Sequence, residues 1–146
     1  MIFILLPKYF SSAYLLLKLE TKQYIYAQKA THSRMHKISV LLTEEASEFV
    51  LSLPIKVQEK ITYNYKKIEQ GVMDNEIFKK LENSNIWEFR TLFNGNCYRL
   101  FAFWDTETET LIIATHGIVK KTQKTPQKEI AKAEEIRKEY FNRKKS

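Results

Sequence analysis

The stretch IWEFRTLFNGNCYRLFAFWD, residues 86–105, decides the fold. Its halves, IWEFRTLF and CYRLFAFWD, are aromatic and β-branched, which suits strands. Between them Asn94-Gly95 marks a tight hairpin, because both residues tolerate the positive φ that a two-residue turn requires. Downstream, Thr106 to Glu109 is polar and turn-like, and TLIIATHGIV, residues 110–119, returns as a third strand. Three strands joined by short turns make an antiparallel meander.

Working outward, Lys37 to Leu42 is a short strand in which Ile38, Val40 and Leu42 alternate. Thr43 then caps a helix with Ala46 at N3, and Glu44 and Glu45 suit the positive end of its dipole. Ala46, Phe49, Val50 and Leu53 recur at helical spacing. Pro54 opens a second helix as an N1-type residue, Val57, Ile61, Tyr65 and Ile68 form its stripe, and Gly71 stops it. NEIFKKLENSN, residues 75–85, reads as a link with one helical turn. The chain closes with a helix over 126–145, with Ile130, Ala133, Ile136, Arg137 and Tyr140 on one stripe. The fold class expected is α+β. An antiparallel sheet, the first strand plus the meander, packs on an N-terminal helical hairpin, with a C-terminal helix. Such a sheet buries one face and can leave the other in water, where function would sit.

Composition narrows the partners. The chain has 146 residues, a net charge of +7 and 44% hydrophobic residues, which suits one folded domain with a tail and favours a polyanionic or acidic partner. Cys97 is the only cysteine, which excludes an internal disulfide. His32 and His36 stand four apart but lack further ligands, so a conventional zinc site is not expected and the metal assignment is none. Residues 1–34 differ from the rest. Their apolar run is broken by Pro7, Lys8 and Lys18, too early for a spanning helix of about 20 residues. They lack the pattern of a secretory signal. The expected domains are therefore 1–34, a peripheral or disordered extension with a possible later start at Met35, and 35–146, the folded unit. No stable membrane association is expected, and the expected compartment is cytoplasmic.

Strand alternation sorts the polar residues. Glu88 and Arg90 share one face of their strand, and Trp87 and Phe89 the other. Arg99 travels with Cys97, Phe101 and Phe103; Tyr98 travels with Leu100 and Trp104. His116 travels with Ile112 and Ala114. Each arginine taken singly is either a surface group or the partner of an acid such as Glu88. Together with His116, Lys120, Lys121 and Lys124, they lie on the meander or its exit. Residues 120–146 hold ten Lys or Arg against four Glu, so the exit is strongly basic. A basic surface interleaved with Tyr98, Phe101 and Trp104 would clamp phosphates and stack bases. Thr122 and Thr125 would bond the loop, with Thr125 also capping the last helix.

IWEFR, then NG, then YRLF, then HGIVKKTQKTP and a Lys/Glu-rich helix, preceded by LSLPIKVQEKI at 51–61, resembles the RelE/ParE toxin superfamily, and within it the HigB-like, phage-derived branch. The resemblance spans about residues 36–144. It implies a RelE-like fold and the toxin of a type II toxin–antitoxin pair, generally an endoribonuclease that cleaves mRNA on the ribosome without metal or other cofactor. It also implies a helix-turn-helix antitoxin as partner. Some relatives poison gyrase instead, and a non-catalytic basic binding module is a third class. RNA cleavage needs cations on the phosphate and an acid–base group for the 2′-OH and the leaving 5′-oxygen. Arg90 and Arg99 suit the first task and His116 the second. Lys120, Lys121 and Lys124 would hold flanking phosphates, and Tyr98 and Phe101 would stack a base. Guanidinium groups of 90 and 99 on opposite sides of the molecule, or each tied up by a buried carboxylate, would sink the proposal of one exposed patch that fits a ribose–phosphate backbone.

Overall fold

Asn94 and Gly95 have φ of 47° and 74°, the left-handed pair that a type I′ hairpin needs. This turn is the pivot of a computed structural model that describes residues 38–108, 111–121 and 124–146. The expectations for residues 1–34 lie outside the described residues. The elements run β1 (Ser39–Leu42), α1 (Glu44–Leu51), α2 (Ile55–Glu69), β2 (Phe78–Lys80), β3 (Trp87–Phe93), β4 (Asn96–Trp104), β5 (Leu111–Lys120) and α3 (Gln127–Lys144). The five strands form one sheet in the order β1-β5-β4-β3-β2.

Local chemistry explains most boundaries. Thr43 Oγ1 accepts a hydrogen bond from the Ala46 amide at 3.2 Å, the N-cap read from the sequence. Pro54 is the N-cap of α2 rather than its first helical residue. Gly71, with φ of 85°, ends that helix. There the Gly71 and Val72 amides donate to the Ile68 and Lys67 carbonyls, a Schellman closure.

Three expectations are corrected. The link after residue 74 is not a helical turn only: Phe78–Lys80 pairs antiparallel with β3 as an edge strand. Three residues are too short for a period-2 signal, and Phe78 pairs because its ring stacks on Phe89 and Trp87 at 4.4 and 4.8 Å. Secondly, the sheet is mixed, because β1 pairs parallel with β5. Thirdly, neither face of the central strands is open. Val57, Ile61, Tyr65 and Ile68 of α2 and Ala46 and Val50 of α1 pack on one face with Phe89, Leu100, Ala102, Ile112 and Ala114. On the other, Phe101, Phe103 and Ile113 meet Ala133, Ile130, Tyr140 and Phe141 of α3. Apolar residues on both sides of β4 demand two covers.

Between Phe101 and Ala102 the β4–β5 register shifts, leaving Thr115 as the extra residue between the Ala102↔Ala114 and Phe101↔His116 pairs. The bulge breaks the alternation. Ile112 and Ala114 face the helical hairpin, while His116 lies with Phe101 and Arg99 on the α3 side. The sequence reading that grouped His116 with Ile112 and Ala114 is thereby corrected.

Gly117 lies where α1 crosses β5. A Cβ there would stand 2.0 Å from Phe49 Cδ1 and 2.6 Å from its Cγ, so the ring must move. Gly117→Ala is expected to destabilise the chain by about 1–3 kcal/mol through overpacking. A urea midpoint equal to that of the natural chain would contradict this placement.

Candidate functional site

Arg90 and Arg99 are direct cross-strand partners on β3 and β4, and Glu88 stands opposite Phe101 on the same face. One carboxylate serves both arginines. Arg99 Nη1 donates to Glu88 Oε2 at 3.1 Å, and Arg90 Nε lies 3.7 Å from Glu88 Oε1. The Arg99 and Glu88 side chains are 2% and 4% exposed, whereas that of Arg90 is 18% exposed. Arg99 also donates to Thr125 Oγ1, whose hydroxyl in turn donates to Glu88 Oε2 at 3.1 Å. Thr125 therefore closes the arginine–carboxylate pair, and the expectation that Thr125 caps the last helix is corrected: Pro126 is the N-cap, with no side-chain cap bond.

Next along the same face, His116 stacks on Phe101 with ring centroids 4.8 Å apart. Its Nδ1 is 3.0 Å from Thr115 Oγ1 and its Nε2 is 3.0 Å from Glu129 Oε2 in the first turn of α3. Burial holds the imidazole pKa below its usual value, although the bond to Glu129 works against this. The neutral ring then donates from Nε2 to the Glu129 carboxylate, and the single proton of the Thr115 hydroxyl is shared between His116 Nδ1 at 3.0 Å and the Phe101 carbonyl at 3.2 Å. A buried neutral histidine makes stability pH-dependent. Between its folded pKa and about 6.5 the unfolded chain binds more protons, so this contribution is complete above about 6.5 and is lost as pH falls. Denaturation between pH 7.5 and 5 is expected to show this loss, and His116→Gln to flatten it. An equal slope in both proteins would show that His116 does not carry it.

The exposed-patch expectation is corrected for several residues. Arg99 and His116 are both 2% exposed beneath α3, and Phe101 is fully buried. Tyr98 lies on the opposite face from Arg99, in the core against the helical hairpin. It cannot stack a base held at Arg99. Lys120, opposite Cys97, is part-exposed at the end of the arginine face, and Lys121 and Lys124 are exposed beyond it. The structure thus brings Arg90, Arg99 and His116 together with Glu88, and leaves the lysines as an exposed rim at the strand exit.

Sequence reasoning missed Glu129 and Thr125 as partners. Both lie beyond the loop after β5, and only the docking of α3 makes them neighbours. It also missed the clasp at the far end of α3. Asp105, fully buried, accepts from Tyr140 Oη at 2.8 Å and Lys144 Nζ at 2.6 Å, and from the Glu107 and Thr108 amides. Burial pushes the Asp105 pKa up, but these four donors outweigh it and hold the carboxyl below its usual range. Tyr140 is pushed up to about 12 by burial and by its bond to Asp105.

Fold and cluster together define a small α+β protein in which a cationic, imidazole-bearing sheet face is closed by a C-terminal helix. Residues 48–138 match the family described as "Phage derived protein Gp49-like (DUF891)", and the chain belongs to that family. A solved structure, the toxin–antitoxin complex RelBE2 from Mycobacterium tuberculosis, is similar to it at 18% identity, with a TM-score of 0.41 over 57% of this chain and 99% of that one. No curated protein sequence matches the chain. Among the described residues no helix is long and apolar enough to cross a membrane.

Proposed function

We propose that this chain is the toxin of a type II toxin–antitoxin pair of the HigB-like branch, acting in the cytoplasm as a metal-independent endoribonuclease on ribosome-engaged mRNA, with a helix-turn-helix antitoxin as its partner. The observation that carries the reading is the convergence of Arg90, Arg99 and His116 on one sheet face of a Gp49-like chain. Two guanidinium groups side by side match the equatorial oxygens of a phosphorane, and arginine keeps its charge when desolvated. An imidazole neutral near pH 7 is a competent base for a 2′-OH. The lysines at 120, 121 and 124 would hold flanking phosphates. In the closed arrangement Glu88, Thr125 and Glu129 occupy the bonds that a phosphate and ribose would make. Catalysis therefore requires α3 and the residues before it to withdraw Glu129 and Thr125, and the arginines to exchange Glu88 of their own sheet for phosphate, while Phe101 acts by supporting the His116 ring rather than by stacking a base.

A second reading has its own support. The burial of Arg99 and His116, each bonded within the protein, suits a structural network beneath a basic binding module without catalysis.

Induction of the full chain followed by mapping of message 5′ ends decides between them. New ends within translated regions, retained by extract treated with EDTA and lost in Arg90→Ala and His116→Gln variants that still fold, are the expected result. Growth arrest with intact message and a DNA-damage response would move the assignment to a gyrase poison. Neither effect would leave the binding module.

A further inference from the structure

We infer that the edge of the sheet at β2 carries a second anion site, a groove that binds the phosphodiester of single-stranded RNA beside Arg90; the inference rests on the RNA reading above and extends it. The groove is open, about 400 Å³, and is lined by Asn75, Glu76, Lys79, Lys80, Trp87 and Arg90. Three cations face one carboxylate there. β2 creates this arrangement at the outer margin of the sheet: Lys79 pairs with Glu88 on the face of Arg90, Lys80 pairs with Trp87 on the other face, and the groove runs around the edge between them.

Lysines on an edge strand also guard against edge-to-edge association. That role does not account for Arg90. Its Nε is buried and has no hydrogen-bond partner among the described residues, and the carboxylate beside it, Glu88, is already bonded by Arg99 and Thr125. One acid held between two guanidinium groups leaves a positive balance in the wall of the groove before the lysines are counted. Trp87 adds a half-buried ring, one face of which lies against Phe78. Cations for the backbone and an indole for a base are the pairing that single-stranded RNA recognises. Because Arg90 faces both this groove and the Arg99–His116 cluster, a strand lying in the groove leads its next phosphate toward that cluster.

The test uses a 2′-O-methyl RNA octamer, which lacks the nucleophile for cleavage, and reads binding by fluorescence anisotropy across a salt series. Lys79→Glu/Lys80→Glu is expected to weaken binding at least tenfold. It should also flatten the log–log salt dependence by about 1.4, about 0.7 for each phosphate no longer neutralised. The control, Lys128→Glu/Lys145→Glu at exposed positions in the first turn and at the C-cap of α3, makes the same change in net charge and is expected to stay within twofold. Equal losses in both doubles, no loss in the first, or no binding by the natural chain would overturn the groove. Full displacement of the octamer by a polyglutamate peptide of equal charge would reassign it to an acidic protein. Message mapping separates the two proposals. Cleavage by the natural chain with octamer binding unaltered in the β2 double removes the groove and keeps the nuclease. A selective tenfold loss with no message cleavage keeps the groove and removes the nuclease.

Discussion

Replacing Glu88 with alanine is expected to cost about 3–5 kcal/mol of stability, because it removes the buried carboxylate paired with the Arg99 guanidinium. The cost falls on three residues at once. Arg99 and Thr125 lose the acceptor they share, and Arg90 loses the carboxylate beside its Nε. Arg90 is partly exposed and can turn toward water; Arg99 cannot. Removing both charges should therefore cost less than removing one, so Glu88→Leu/Arg99→Met is expected to recover most of the loss. Urea denaturation of the two variants measures the difference. A single variant within about 1 kcal/mol of the natural chain would show that Arg99 is solvated and that the network contributes little. The double variant also bears on the proposed function. It is expected to fold and to fail to arrest growth, since no guanidinium remains at position 99 for a phosphate. Arrest at the natural level would remove Arg99 from the reaction.

The second large effect concerns the clasp. Asp105→Ala removes one buried acceptor from Tyr140, Lys144 and two backbone amides. It is expected to cost about 2–3 kcal/mol, the range for stranding buried donors when some can reach water. The damage should be local. Ala133 is the one fully buried residue of α3, so the helix is held by a thin apolar seam and by polar bonds at its two ends. Hydrogen exchange is expected to show lost protection across the C-terminal half of α3 while β3, β4 and β5 keep theirs. If α3 covers the reacting groups, message cleavage per folded molecule should rise in this variant. A fall as deep as that of the Glu88→Leu/Arg99→Met double variant would mean instead that the docked helix completes the site. Uniform loss of protection over sheet and helix would show that Asp105 supports the whole fold.

Much of this architecture was legible in the residues. Asn94-Gly95 announced the hairpin because few other pairs accept left-handed backbone twice in succession. The stripe Val57, Ile61, Tyr65 and Ile68 announced its helix because burial at one face requires that spacing. β2 was not legible: a three-residue strand gains its pairing from Phe78 stacking on its neighbours, not from its own pattern. The parallel placement of β1 was not legible either, since the strand's alternation is the same whichever way its partner runs.

For the site, the sequence by itself determined the inventory: two arginines on neighbouring strands of one hairpin, a histidine on the third strand, and a basic exit. Residue type and hairpin register are local properties, and a tight turn fixes which positions lie opposite. Only the tertiary structure decided what those residues face. The bulge at Thr115 turned His116 onto the arginine face, and the docking of α3 gave Glu129 to His116 and Thr125 to Arg99. Both depend on groups far apart along the chain coming together, where the desolvation of a charge and the partner that compensates it are set at once, and periodicity carries no record of that.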